Sequence, residues 1–362
     1  MKNNNVAAAT GEIKSLTFFR FFTAFLVFIF HVRIHLNAIV PLFDKFILQG
    51  AIFMSAFFML SGFIMYYVYS KMDFTIFKNV KNFYLKRFAK IYPSYLCVVI
   101  ISYFMVSGMP FLKILITVPM SIFCLQSLFY VSFPYLMNGG LWSLSVEAVF
   151  YMLFPFIHFV FISCKRHYKR IILISYFLTL YPSFVQYFFG KTEDLYVNPF
   201  FRLPEFILGI CLGHCYISKY FIKMKESLLC IGSFIGLIIL ISFISSLKIS
   251  ANANFSGKYN YFNFISIPLI GVFIYSLAIM KNKIILKITN NTICNYLGKI
   301  SYSFYLTQFI AITMVGKRYF INSGCLSYLV PFVINILTSI IMYELIERPF
   351  RKKILIKYGV NK

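Results

Sequence analysis

LTFFRFFTAFLVFIFHVRIHLNAIV, residues 16 to 40, is an almost unbroken apolar run, longer than the roughly 20 residues a helix needs to cross a bilayer. Among the ionisable residues that interrupt it are Arg20 and His31. A charge at the centre of such a helix costs roughly 2.5 to 3.5 kcal/mol even on lenient insertion scales. Eleven positions at about 100° each come to three turns plus roughly 20°, so the two side chains share one helix face, about 16 Å apart along the axis. The run therefore predicts a membrane helix whose Arg20 and His31 face is polar and turned toward the protein interior.

Composition extends that reading to the whole chain. Hydrophobic residues make up 60% of the 362 and charged residues 12%, with a mean hydropathy of +0.80. Soluble domains are roughly 25% charged. The chain reads as an integral membrane protein. Its apolar stretches are about 20 residues long and are separated by short basic loops, which predicts helices and not the alternating strands of an outer-membrane barrel. Residues 1–362 read as a single all-α transmembrane domain with no appended soluble domain. The segment MKNNNVAAATGEIKS lacks a strongly basic start and a small-residue cleavage site, so the first span is expected to be retained.

The excess of 35 basic over 10 acidic residues is a topological signal and not a nucleic-acid one. Blocks at 71–90, 165–170, 219–226, 281–287 and 348–362 hold 22 of the lysines and arginines. The intervening loops hold seven: Lys45, Lys113, Lys191, Lys248, Lys258, Lys317 and Arg318. The positive-inside rule assigns the rich blocks to the cytoplasm. Eleven apolar segments are visible, and eleven crossings would put KRHYKR (165–170) outside. Ten crossings, with segment 111–131 dipping into the outer interface, place all five blocks and both termini inside.

Eight cysteines form no CxxC pair. Cys211, His214 and Cys215, one helical turn apart, are the best available ligand set, but the expectation is ordinary packing and no metal. No Walker loop, GxGxxG or internal repeat is present. Of the ten acidic residues, Glu147 and Glu205 fall within spans, with Glu344 and Glu347 at the inner end of the last. An intramembrane carboxylate is by default a functional candidate, with structural ion pairs as the competing reading. Glu147 belongs to GGLWSLSVEAVFYMLFP (139–155), four residues from Ser143 and so on the same face. Ser145 and the chain's single tryptophan, Trp142, complete that cluster, although Trp142 on position alone reads as an interfacial anchor.

Seven segments, in order, carry a resemblance: Arg20-x10-His31; FFMLSGFIM (57–65); KRFAKIYPSY (86–95); LWSLSVEAVFYMLFP (141–155); FRLPEFILGICLG (201–213); SYSFYLTQ (301–308); and ERPFRK (347–352). With these, over nearly its whole length, the chain resembles the acyltransferase 3 family of bacterial integral membrane O-acyltransferases, which includes O-antigen and surface-polysaccharide O-acetyltransferases. It departs from the family pattern at three positions. Ala148 stands where a second acidic residue is usual, Lys90 where arginine is common, and Gln308 where histidine is common. Lysine keeps the charge but loses the planar fork. Glutamine cannot act as a base, so position 308 is expected to carry no catalysis.

The resemblance implies transfer of an acyl group, usually acetyl from acetyl-CoA, to a hydroxyl of a glycan or glycolipid at the bacterial inner membrane. Histidine suits deprotonation of a hydroxyl near neutral pH, which makes His31 the candidate base. Glu147 would orient or stabilise its imidazole. Arg20, Lys86, Arg87 and Lys90 gather at the inner face and are the candidate binders of the CoA phosphates, against the alternative of a basic loop on anionic lipid. The acceptor is expected at the outer side, near Trp142, Ser143, Ser145, Arg202 and Glu205, with Tyr302 and Tyr305 lining a groove. Arg202 and Glu205, three apart, have mutual pairing as their simpler reading. Glu347, Arg348 and Arg351 are expected to lock the inner end of the last helix. A transporter or flippase of a lipid-linked sugar would show the same spans and buried charges, as would a non-catalytic scaffold. Dependence on acetyl-CoA separates the first two readings, and loss of function in His31→Ala excludes the third.

Overall fold

In the computed structural model, which describes residues 11–40, 43–105, 110–129, 139–189, 193–220, 224–246 and 255–360, the opening apolar run is one helix, α1 (Lys14–Leu36). Asn37 ends it in the left-handed region, with a φ of 50°, a conformation asparagine tolerates better than most residues. The chain turns through Asp44–Ile47 and Gly50–Ile52 into α2 (Phe53–Tyr69). That turn lies flat on α1: a Cβ at Gly50 would sit 2.6 Å from Phe30 Cβ and 2.8 Å from the Leu26 carbonyl. Arg33 of α1 is ion-paired with Asp44 and pins the same corner.

Next come α3 (Phe77–Phe104), the short α4 (Phe111–Ile122), α5 (Trp142–Cys164), α6 (Tyr168–Leu178) and α7 (Tyr181–Phe189). They are followed by α8 (Pro199–Ile217), α9 (Glu226–Ser246), α10 (Phe255–Ala278), α11 (Lys283–Thr289) and α12 (Thr292–Ala311). A π-turn, Ile312–Gly316, leads toward α13 (Leu326–Met342), and a second, Tyr343–Glu347, joins α13 to α14 (Arg348–Lys357). Local signals account for several boundaries. Asn198 caps α8 through the Phe200 amide at 3.0 Å with Pro199 in the first turn, and Asn291 caps α12 through the Cys294 amide at 2.8 Å. Pro349 cannot donate to the preceding turn, and the π-turn before it absorbs that break without ending the helix.

The described residues hold no strand, and six helices are long and apolar enough to cross a membrane. These are α1, α2 with its leading turn, α5 continuing through α6 into α7, α8, α9, and α13 continuing through α14. The pair α10 and α11, bent by 99°, makes a seventh if counted as one span. Helices α3 and α12, 28 and 20 residues long, have the length but not the apolarity. Within segment 111–131 the helix α4 has 12 residues, about 18 Å, which is short of the ~30 Å hydrocarbon layer. The expectation for the extreme N-terminus, and Lys191 and Lys248, fall outside the described residues.

Burial sorts the bundle into centre and rim. The α2 span is 78% buried and the α13 span only 22%, so α2 is central and α13 presents leucine, isoleucine and valine side chains outward, as a lipid-facing helix does. Helices α2 and α8 touch backbone to backbone. A Cβ at Gly62 would lie 2.0 Å from the Phe206 carbonyl oxygen, and one at Gly209 would lie 1.9 Å from that of Met59. Without a hydrophobic drive between helices in lipid, such small-residue contacts supply the dispersion energy of packing. Gly62→Ala or Gly209→Ala is expected to force the pair apart at a cost of about 1–3 kcal/mol. Thermal unfolding in detergent should show a lowered midpoint for both, whereas Gly232→Ala, with nothing within 4 Å of its added methyl, should match the parent protein.

A candidate active site in a cation-lined cavity

One cavity, with about 230 Å³ of space open to water, is walled by α1, α2, α3, α5, α12 and the α13–α14 junction. Arg20 and Thr17 reach it from α1, Arg87 and Lys90 from α3, and Glu147 and Tyr151 from α5. The stretch of α2 from Met54 to Met65 runs about 16 Å along the wall. Glu12, Lys299 and Arg351 are exposed and form the mouth, while Met54, Ser143 and Tyr305 are buried and close the far end. The wall is continuous because α12 lies against α1 at Gly298, whose Cβ would be 2.4 Å from the Thr17 carbonyl oxygen.

Charge is concentrated at the mouth and middle. Arg20, Arg87, Lys90, Lys299 and Arg351 face Glu12, Glu147 and Glu347, leaving an excess of cations. Arg20 and Lys90 are electrostatic neighbours of Glu147, and the Ser61 and Tyr151 hydroxyls, 2.9 Å from each other, bond toward its carboxylate. Glu347 accepts a hydrogen bond from Ser303 at 2.7 Å, with Lys90, Arg351 and Arg20 around it. The Arg87 guanidinium lies over Tyr69 at 5.2 Å and over Phe83 and Tyr151 at 5.9 Å, and donates to the Tyr69 hydroxyl at 2.8 Å. Its buried Nε has no hydrogen-bond partner among the described residues. A planar fork held by stacking, with a donor left over, suits an anionic ligand. At the buried end the groups are neutral: Ser143 and Tyr305 hydroxyls are 2.7 Å apart, and Tyr305 donates to the Gly140 carbonyl at 2.9 Å. Tyr302 lines the wall while donating to the Ile91 carbonyl at 2.8 Å.

His31 is not on this wall. It is half-buried, and its Nδ1 meets Oε1 of Gln308 at 3.1 Å, while Glu147 is occupied by the cations and hydroxyls just described. The expected His31–Glu147 contact therefore does not form. The shared face of α1 holds as a direction, with Arg20 in the cavity and His31 farther along the helix. Gln308 follows Tyr305 by three residues, so His31 meets α12 about 4.5 Å beyond the buried end of the cavity.

The remaining candidates take other places. Lys86 is not on the cavity wall. Ser145 bonds to the Cys124 carbonyl and the Ser127 hydroxyl, both at 2.6 Å, and ties α5 to the segment after α4. Trp142 is packed edge-on to Phe58 at 6.1 Å and lies 5.3 Å from Tyr196. Arg202 and Glu205 pair at 3.0 Å, both at most 3% exposed; Ser55 bonds both at 3.3 and 3.2 Å, and the Arg202 guanidinium sits between Phe58 and Tyr196. Phe58 is on the cavity wall, so Trp142 and Arg202 buttress it from behind. His214 of the cysteine-rich turn meets the Tyr66 hydroxyl at 3.2 Å, and no group of three or more potential ligands able to hold a metal occurs among the described residues.

Glu347 and Arg351 correct the expectation of a simple helix lock. The π-turn Tyr343–Glu347 brings Glu347 to the cavity, and of the three only Arg348, paired with Glu344 at 2.9 Å, fits the locking role. Ser61, Tyr151, Tyr343, Glu347 and Arg351 were not singled out as site residues. Tyr151 was findable as the residue four beyond Glu147 on one helix face, and Glu347 as a buried carboxylate.

These features define a helical membrane protein with a cation-lined cavity sunk into its bundle. The chain belongs to the family described as Acyltransferase domain, matched over residues 13–344. It is 24% identical over 335 residues to the Staphylococcus aureus (strain COL) protein named "Putative O-acetyltransferase", covering 84% of this chain and 53% of that one. It is 26% identical over 227 residues to "O-acetyltransferase OatA" of S. aureus (strain NCTC 8325), covering 59% of this chain and 36% of that one. A 28% identical match over 181 residues links 44% of this chain to 73% of an uncharacterized Haemophilus influenzae protein. The chain thus spans about half the length of the first of these relatives. No solved structure matches it.

The buried pair gives a direct test of structural against ligand-binding duty. Arg202→Met strands a buried carboxylate and should cost about 3–5 kcal/mol, whereas Arg202→Met with Glu205→Leu should recover most of it. Thermal unfolding in detergent checks the order. A single variant of parental stability would instead assign the pair to a ligand.

Proposed function

We propose that the chain is a membrane O-acyltransferase that moves an acyl group, most simply acetyl, from acyl-CoA to a hydroxyl of a cell-surface glycan or lipid-linked saccharide. The cavity carries this reading: cations at its open end, neutral hydroxyls and aromatic rings at its buried end. Acyl-CoA brings phosphates at one end and a neutral thioester at the other, and the two gradients match. Arg20, Arg87, Lys90 and Arg351 take the phosphates, with Arg87 offering the bidentate contact. The thioester arm lies along Phe57, Ser143, Tyr302 and Tyr305.

His31, at the far side of that end, acts as general base. The acceptor oxygen attacks the thioester carbonyl while its proton passes to the imidazole. The C–S bond then breaks, and the thiolate leaving group recovers the proton. Glu147, surrounded by Arg20 and Lys90, balances the cations when the donor is absent and spaces them for it. With ten crossings and both termini in the cytoplasm, the topology that the positive-inside bias supports, the cavity mouth on the basic ends of α3 and α14 would face the compartment where acyl-CoA is made. The host membrane is the bacterial inner membrane, and no metal takes part.

Membrane vesicles from expressing cells, supplied with labelled acetyl-CoA, should acylate their glycan or glycolipid. His31→Ala should abolish transfer, and Arg20→Ala should raise the KM for acetyl-CoA at least about tenfold, the loss of one charge-assisted phosphate contact. Movement of a lipid-linked sugar without acetyl-CoA, untouched by His31→Ala, would establish a transporter in its place.

A further inference from the structure

Position 308 combines three observations. Gln308 is fully buried, its Oε1 is 3.1 Å from His31 Nδ1, and its Nε2 has no hydrogen-bond partner among the described residues. A side chain needed only to fill space would be better apolar, because a buried amide with one end unpaired carries an uncompensated desolvation cost. The contact to His31 is what the amide retains in exchange.

We infer that Gln308 is the positioning residue of His31: its amide oxygen accepts the Nδ1–H and so holds the imidazole in the tautomer whose Nε2 lone pair faces the acceptor hydroxyl. This rests on His31 being the base. A neutral imidazole carries one N–H, and the partner of one nitrogen decides which nitrogen has it. A carbonyl oxygen only accepts, so Nδ1 must donate and Nε2 is free to receive a proton. Glutamine thus does without charge what a carboxylate does in other base pairs.

The surroundings fix the ring, and among the described residues only Gln308 hydrogen-bonds Nδ1. Phe309 of α12 lies 4.7 Å away between ring centroids, Phe30 5.4 Å, and His35, one turn along α1, 6.1 Å. Of the nearby charged groups, Lys317 acts on His35, and Arg33 is committed to Asp44 and to Asn37. The π-turn Ile312–Gly316 directly follows α12 and sets where Lys317 emerges.

The test uses the full chain labelled with 15N-histidine, which has five such residues, alongside labelled acetyl-CoA turnover in vesicles that carry the native acceptor. The His31 signals, assigned by their loss in His31→Ala, should report Nδ1–H in the parent protein. Gln308→Leu should mix in the Nε2–H form and lower kcat about ten- to a hundredfold, with the KM for acetyl-CoA within about twofold. Gln308→Glu should keep Nδ1–H and move the acidic limb of the kcat profile up by about one pH unit or more, since a carboxylate favours the charged ring. An unchanged tautomer in Gln308→Leu, or an unmoved acidic limb in Gln308→Glu, overturns the inference even if His31→Ala is inactive. An active His31→Ala overturns the base reading itself. If Gln308→Leu fails to fold, the tautomer of the parent and the profile of Gln308→Glu decide alone.

Discussion

The cost of a charge in a low-dielectric bundle governs this molecule. Arg20 in the apolar stretch of α1 is tolerable only with water or counter-charges beside it, and the cavity places Glu147 and Glu347 there. Once one cation requires a wet, polar interior, others can share it cheaply. Arg87, Lys90 and Arg351 do so, with Glu147 and Glu347 set among them. Two of the helices that line this interior, α3 and α12, are too polar to qualify as spans on composition. Both turn polar side chains to the cavity, Arg87 and Lys90 from α3 and Ser301, Tyr302 and Tyr305 from α12.

A cavity among helices persists only if its walls resist collapse, and here backbone contacts provide the stiffness. The Gly62–Phe206 and Gly209–Met59 approaches weld α2 to α8, and Gly298 seats α12 on α1. Behind the wall, Phe58 is fixed by Trp142 and by the Arg202 guanidinium, itself neutralised by Glu205. Two π-turns then adjust direction where straight helices would misplace a side chain. One brings Glu347 into the cavity, and the other follows directly on the α12 turn that carries Gln308.

The helical class, the apolar segments and several charged cavity residues were legible in the sequence because each follows from local rules: span length, the positive-inside bias, and the placing of Arg20, Arg87, Lys90 and Glu147 in or beside apolar segments. Segment 111–131 was legible as an anomaly, and its 12-residue helix is too short to cross. What a one-dimensional reading could not supply was which faces meet. Glu147 and His31 are both intramembrane and ionisable, which invited pairing, yet α5 turns Glu147 toward Arg20 and Lys90 while α12 meets His31. Trp142, Arg202 and Glu205 carry polar atoms that announce a site, and only packing shows them sealed behind Phe58. Glu347 was placed at a helix end, and the π-turn that brings it to the cavity has no simple sequence signature.

The separation of Glu147 from His31 has a physical logic. A carboxylate beside the imidazole would favour its charged form, at the end of the cavity where the wall offers hydroxyls and rings and no counter-charge. Such a site would shift the histidine toward its protonated form and narrow the pH range in which it can accept a proton. Keeping the carboxylates among the cations, and giving His31 a neutral amide, divides the electrostatic labour between the two ends. In the proposed reaction the strong charges would meet the charged part of the donor, and a neutral base would meet the hydroxyl. On the proposed reading, Gln308 is a partner suited to a base that must start uncharged.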